Sequence, residues 1–263
     1  MAVPVRLRPQ APKKINIKAD FPSLRAGTNN NNSEYRVEGE VFMHGSAVFR
    51  WVLAGMLVFW SPPLLAEQGW EKAAEDADRQ IVVYTRSVEG SPFKASRGVT
   101  TVEAALGAIV SLVSDADSYS EWMYNIKRSM LLEQVSRLEN IIYIAQRFPW
   151  PVTDRDMVVY AKLHQDPDSK QIVITMKAVP GAYPEQDGHV RVTRMTGKWQ
   201  LTPKGGNQVA VIYELHPDPG GYIPTRIANA YIVDTPLHTL RGLHRMIREP
   251  KYRDARLDTV MEP

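Results

Sequence analysis

Between residues 127 and 215 the chain reads as a succession of β-runs with no room between them for crossover helices. The runs are 127–134, 140–147, 156–165, 171–179, 191–202 and 208–215. They are separated by turn chemistry such as Asp166-Pro167-Asp168-Ser169 and Pro203-Lys204-Gly205-Gly206-Asn207. A parallel crossover needs a dozen or more residues, so neighbouring runs must pair antiparallel. Several of them alternate. Met157, Val159, Ala161 and Leu163 share one face, as do Ile172, Ile174, Met176 and Ala178, and as do Val209, Val211, Tyr213 and Leu215. A long antiparallel sheet with one apolar face must be covered by another layer.

The cover is the last helical pattern, residues 225–249. Pro224 suits its first turn, where the missing N–H is not needed. Ile223, Ile227, Ala230 and Tyr231 start an apolar stripe that continues through Leu237, Leu240, Leu243 and Ile247. Pro236 interrupts the hydrogen-bond ladder and is expected to kink or restart the helix. The remaining tail, 251–263, reads as polar and loosely held.

Upstream, residues 68–80 read as an amphipathic helix carrying Trp70. Residues 81–88 and 93–99 read as a hairpin around Glu89-Gly90-Ser91-Pro92. Thr100 and Glu103 have capping-box spacing, followed by Val102, Ala105, Leu106, Ile109, Val110 and Val113 at helical intervals. Trp122 lies beyond that helix, as a core plug or as part of a cavity wall.

Phe148 to Val159 (FPWPVTDRDMVV) is a stiff, partly apolar loop feeding a strand. Pro149 and Pro151 fix their own φ and keep the preceding residues extended. Trp150 either packs on the core or forms the rim of an apolar cavity. From the residues alone a filled core and a hollow one are equally open. The face of Met157, Val159, Ile174, Met176, Val211 and Tyr213 suits an apolar body with a single polar head.

The first third of the chain differs. Residues 1–42 show no apolar period and include Asn29 to Asn32, so they read as a disordered extension, or as a product of start-site choice upstream of Met43. Residues 43–66 have a basic lead, the apolar run Trp51 to Trp60, a Pro62-Pro63 break and Ala66 before the expected cut. That apolar run is about ten residues, and a bilayer span needs roughly 20. It fits a signal peptide, so the mature protein is expected to be exported, periplasmic or secreted. The folded domain is then 67–250.

Composition excludes several functions. With 32 basic and 29 acidic residues and no long basic block, no nucleic-acid footprint is present. The sequence has no cysteine, hence no disulfide and no thiolate chemistry. The histidines have no metal-ligand spacing, and no nucleotide or hydrolase motif occurs, so no catalytic residue, metal or cofactor is assigned.

The ordered set of Trp70, the hairpin, the Trp122 region, residues 149–158 with Arg155-Asp156, and Gly221-Tyr222-Ile223-Pro224 with Asn229 resembles the START-type lipid-transfer domains. The likeness spans residues 67–249. It implies an α+β helix-grip fold of the Bet v 1-like kind, in which a curved antiparallel sheet wraps a long C-terminal helix around an apolar cavity. It further implies a monomer holding one phospholipid, sterol or similar lipid, with transient membrane contact. The implied lining is Trp122, Tyr143, Met157, Val159, Ile174, Met176, Val211, Tyr213, Ile227 and Tyr231. The implied gate is Phe148, Trp150, Val152 and Ile223, with Arg155 and Asp156 holding the loop to the strand. Steroid-binding members carry an acid and an arginine inside the tunnel. The comparable positions here, Ile142 and Ala161, are apolar, so sterol specificity does not follow. A polyketide cyclase or aromatase on the same fold, or a ligand-sensing module, are the alternatives.

Overall fold

In the computed structural model the described residues are 69–263. The extension and the signal-peptide segment lie outside them. Ten strands form one sheet: β1 (Glu71–Asp76), β2 (Ile81–Arg86), β3 (Ala95–Glu103), β4 (Ile126–Ser136), β5 (Glu139–Gln146), β6 (Asp154–Gln165), β7 (Ile172–Ala178), β8 (His189–Arg191), β9 (Arg194–Gly205) and β10 (Gln208–Asp218). Nine run antiparallel in the order β1-β2-β3-β10-β9-β7-β6-β5-β4. The expected run 191–202 divides into β8 and β9. β8 pairs parallel with the first residues of β6, beyond the end of β7, and is the one departure from antiparallel pairing. The helices are α1 (Leu106–Ser114), α2 (Tyr119–Trp122), α3 (Thr225–Met246) and α4 (Pro250–Arg253). The architecture is α+β, an antiparallel sheet packed against a long C-terminal helix, as expected.

Three local expectations are corrected. Residues 68–80 do not form a helix. Glu71–Asp76 pairs with β2, and a single 3-10 turn at Ala77–Arg79 reverses the chain, closed by Asp76 accepting from the Arg79 N–H at 3.2 Å and by Gln80 in the left-handed region (φ 52°). Ladder pairing with β2 overrides the helix preference of the Ala- and Glu-rich segment. The guanidinium groups of Arg86 and Arg97 lie over the Trp70 ring, 4.7 and 4.4 Å from its centre.

Thr100 and Glu103 are not a capping box either, because both belong to β3. Thr100 Oγ1 instead donates to the Arg79 carbonyl at 3.0 Å and shares a 2.8 Å hydrogen bond with His244. α1 starts at Leu106, and its cap comes from the far end of the chain. The Glu262 carboxylate accepts from the N–H groups of Leu106 at 3.0 Å and Gly107 at 2.8 Å. The tail is therefore docked, not loose. Tyr252 is buried and donates to Asp115 at 2.7 Å, and the Gln165 amide brackets the backbone of Met261 at 2.7 and 2.8 Å.

Pro236 stands inside α3 without restarting it. α3 packs over β1, β2 and β3. At Gly98 of β3 an added Cβ would lie 2.7 Å from Leu240 and 3.0 Å from Pro236, so the helix crosses where the strand carries no side chain. Leu240 and Leu243 are fully buried there among Ile81, Leu106, Ile109 and Val211. This half of the interface is closed. The other half, toward β5 and β6, is not.

Candidate functional site: an apolar cavity between sheet and helix

The inward faces of β5, β6 and β7 meet α3 across a cavity of about 510 Å³. The pleat decides which residues reach it. Ile142 and Ile144 of β5, Met157, Val159, Ala161 and Leu163 of β6, and Ile174 and Met176 of β7 form the sheet wall. Ala228, Tyr231, Ile232, Thr235 and Thr239 of α3 form the helix wall, at helical spacing. Trp199 and Tyr213 close the floor with rings stacked at 4.0 Å. Burial pushes the Tyr213 hydroxyl above its ordinary titration range, so it faces the cavity as a neutral group.

Of the expected lining, Met157, Val159, Ile174, Met176, Tyr213 and Tyr231 do face the cavity, as do Phe148 and Ile223 of the expected gate. Trp122 does not. It is the core plug, packed against Tyr119 and Trp199 at ring distances of 5.9 and 6.3 Å. α3 passes so close that a Cβ on Gly242 would lie 2.1 Å from the Trp122 carbonyl oxygen. Tyr143 sits on the opposite face of β5, against Tyr183 at 5.1 Å. Burial first, and the nearby Asp156 charge second, push its hydroxyl up to about 12. Val211 has the right strand parity but lies in the closed half of the interface, fully buried. Ile227 is one residue off the α3 stripe, about 100° round the helix. Val152 is buried within its own loop, outside the cavity wall, and Trp150 is 92% exposed.

The end of the cavity beside the proline-rich loop, where the gate is expected, is held by Arg155. This side chain is 1% exposed, yet it ties two distant segments together. Its Nη1 donates to the Thr153 carbonyl on its own loop. Its Nε donates to Pro219 at 3.4 Å, and its Nη2 to Gly220 at 3.2 Å and Tyr222 at 3.3 Å, all in the approach to α3. The guanidinium also lies 4.9 Å over the Phe148 ring, which stacks on Tyr231 at 4.0 Å. Tyr231 donates in turn to the Arg147 carbonyl. Burial lowers the Arg155 pKa from its ordinary value, yet an arginine keeps its charge in a protein. Next along β6, Asp156 turns to the other face and forms a buried, two-pronged ion pair with Arg191 at 2.9 Å for each prong. Arg191 spends its other N–H groups on the carbonyls of Pro180, Tyr183 and Pro184, each at 2.8 Å. The pair thus fixes the loop behind the sheet, while Arg155 joins the proline-rich loop to the approach of α3.

Sequence reasoning missed the β5 wall and the tail. Residues 141–145 are apolar without a break, so no alternation marks Ile142 and Ile144 as inward. Leu257, Asp258 and Thr259 also line the cavity, at the end near the β4–β5 hairpin. The spacing of Leu257 and Val260 is a faint apolar signal in that segment. A second hollow, lined by Arg79, Glu103, Arg241, His244 and Arg248, is charged and does not suit an apolar guest.

Comparison with known proteins agrees with this geometry. The START domain family model matches residues 53–249. An uncharacterised protein of Pseudomonas aeruginosa is 38% identical over 192 residues, covering 73% of this chain and 93% of that protein. Bovine phosphatidylcholine transfer protein is 23% identical over 172 residues, 64% of this chain and 78% of that one. The crystal structure of a STAR-related lipid transfer protein fragment from Xanthomonas axonopodis superposes with a TM-score of 0.63 at 36% identity, covering 69% of this chain and 99% of that one. A sheet that grips a long helix around an apolar hollow, matched over most of its length by the family model and by a 36% identical structure, makes this chain a member of the START domain family.

Proposed function

We propose that the protein binds one lipid in the cavity and carries or presents it between membranes. The observation that carries this reading is the cavity of about 510 Å³, walled largely by aliphatic and methionine side chains, beside the closed half of the core. Burying a chain of about sixteen methylenes is worth on the order of 10 kcal/mol at about 0.8 kcal/mol each, enough to draw a lipid from a bilayer once the gate opens. The relatives named for lipid or phosphatidylcholine transfer support the same ligand class.

Membrane contact would fall at the gate. Trp150 and Tyr222 are 92% and 89% exposed, and they sit on the two segments that Arg155 joins. Aromatic side chains with a polar edge suit the interfacial region of a bilayer. We also propose export, on the strength of the Trp51 to Trp60 run; N-terminal sequencing that finds residues before Ala66 in the mature protein would refute that part. The lipid reading is tested by native mass spectrometry of the purified protein and by lipid exchange between vesicles. Bound lipid and exchange are expected, whereas protein that stays empty and inert toward vesicles would sink the reading.

A further inference from the structure

The cavity has two ends, and they differ in chemistry. Arg155, Phe148, Pro219 and Ile223 stand at the gate end. At the far end of β5, about six residues or 20 Å away, stands Asn140. It faces Ala161 of β6 on one side and Gln134 of β4 on the other. Its Oδ1 is shielded from solvent and has no hydrogen-bond partner. A buried acceptor left in that state is costly, and native structures rarely keep one without a use. Beside it the β4–β5 hairpin brings Arg137, and the docked tail brings Asp258 and Thr259, to the cavity wall. The aliphatic wall also reaches the surface here, since Leu131 and Leu138 line the cavity and are 44% and 40% exposed.

We propose that this hairpin end is the head-group subsite, where Asn140 accepts a hydrogen bond from a phospholipid head that carries N–H or O–H donors. Ethanolamine and glycerol heads have such donors. A choline head has a fully methylated nitrogen and has none, so it leaves Oδ1 unsatisfied. Arg137 supplies a cation within reach of the head's phosphate, and Asp258 an anion suited to an ammonium. The inference rests on the lipid-binding reading above and adds a selectivity to it.

The test uses the full chain, incubated with vesicles of phosphatidylethanolamine, phosphatidylglycerol or phosphatidylcholine of identical acyl chains, with bound lipid read by native mass spectrometry. Loading with each donor-bearing lipid is expected to exceed phosphatidylcholine by about five- to tenfold, the worth of one buried hydrogen bond. Asn140→Leu is expected to bring the ratio to about one by lowering the loading of the two donor-bearing lipids. Phosphatidylcholine loading equal to or above either of the others in the unaltered protein overturns the proposal, and so does a ratio that survives Asn140→Leu. Both results leave lipid binding itself standing. Failure to load any of the three lipids overturns the lipid-binding reading and this one with it.

Discussion

Replacing Ala161 by phenylalanine separates a hollow protein from a solid one. Ala161 lies on β6 between Asn140 of β5 and Met176 of β7, with its methyl on the cavity wall. A phenyl group needs roughly the space of a benzene-binding hole, about 150 Å³, well within the room available. Burying it in empty apolar space contributes about 1.5–3 kcal/mol, less about 1 kcal/mol of side-chain entropy. The variant should therefore be as stable as the parent or up to about 2 kcal/mol more so. Were the site already filled, overpacking would cost about 1–3 kcal/mol. With a urea slope of about 1–3 kcal/mol per molar, the two cases differ by roughly 1–2 M in unfolding midpoint. Urea unfolding of lipid-free protein reads the stability, and native mass spectrometry reads the lipid. An unchanged or raised midpoint with lipid binding lost is expected. A midpoint lowered by about 1 M, or full lipid loading in the variant, would refute the account of the cavity.

Arg155→Met should cost about 2 kcal/mol or more, since it removes the charge-assisted hydrogen bonds of a buried guanidinium to carbonyls on both segments. Amide hydrogen exchange in residues 219–224 should rise together with the rate of lipid exchange, and unchanged protection would remove the latch role. Trp150→Ala and Tyr222→Ala should leave unfolding within about 0.5 kcal/mol of the parent, both side chains being exposed, and should slow vesicle-to-vesicle transfer. Transfer at the parental rate would remove the membrane contact from the gate. Burial raises the Asp115 carboxyl, but the hydrogen bonds from Lys251 and Tyr252 outweigh it and hold the pKa below the ordinary 3.8. A depressed carboxylate stabilises the fold above its unfolded pKa and loses that contribution as pH falls through the folded value. Residues 250–263 should thus be protease-resistant at pH 7 and be released only as pH falls below 3.8, through the lower folded value, a step that Asp115→Asn abolishes.

The sheet was legible because its evidence is local. Alternation in β6, β7 and β10 and the Asp- and Gly-rich turns between strands fix both pairing and face without reference to the rest of the chain. β1 was illegible for the opposite reason. Its Glu-Lys-Ala composition favours a helix, and only pairing with β2 makes it a strand. The capping box at Thr100 was a coincidence of spacing. The true cap of α1 is supplied by a residue more than 150 positions later, which no window of sequence can reveal. The tail was misread by the same logic, since its polar anchors are contacts to the distant Asp115, Gln165 and the α1 N-terminus.

The cavity wall divides along the same line. Where one face of a strand is apolar and the other polar, inward residues can be named, as at Met157 and Val159. Where both faces are buried, as along residues 141–145 of β5, parity carries no signal, and Tyr143 faces away from the cavity while Ile142 faces into it. Arg155 shows what such a reading can still reach. An arginine that begins a strand after a proline-rich loop must satisfy its N–H groups somewhere dry. Here the partners are carbonyls in the approach to α3 and not a carboxylate. A carboxylate would have fixed the charge within a single rigid pair, as Asp156 does with Arg191. Separate carbonyl bonds to a loop can be given up one at a time, so on the proposed reading the same buried cation would hold a gate shut and let it open. The join between the two segments therefore depends on hydrogen bonds to backbone, which no side-chain pattern in residues 219–222 encodes.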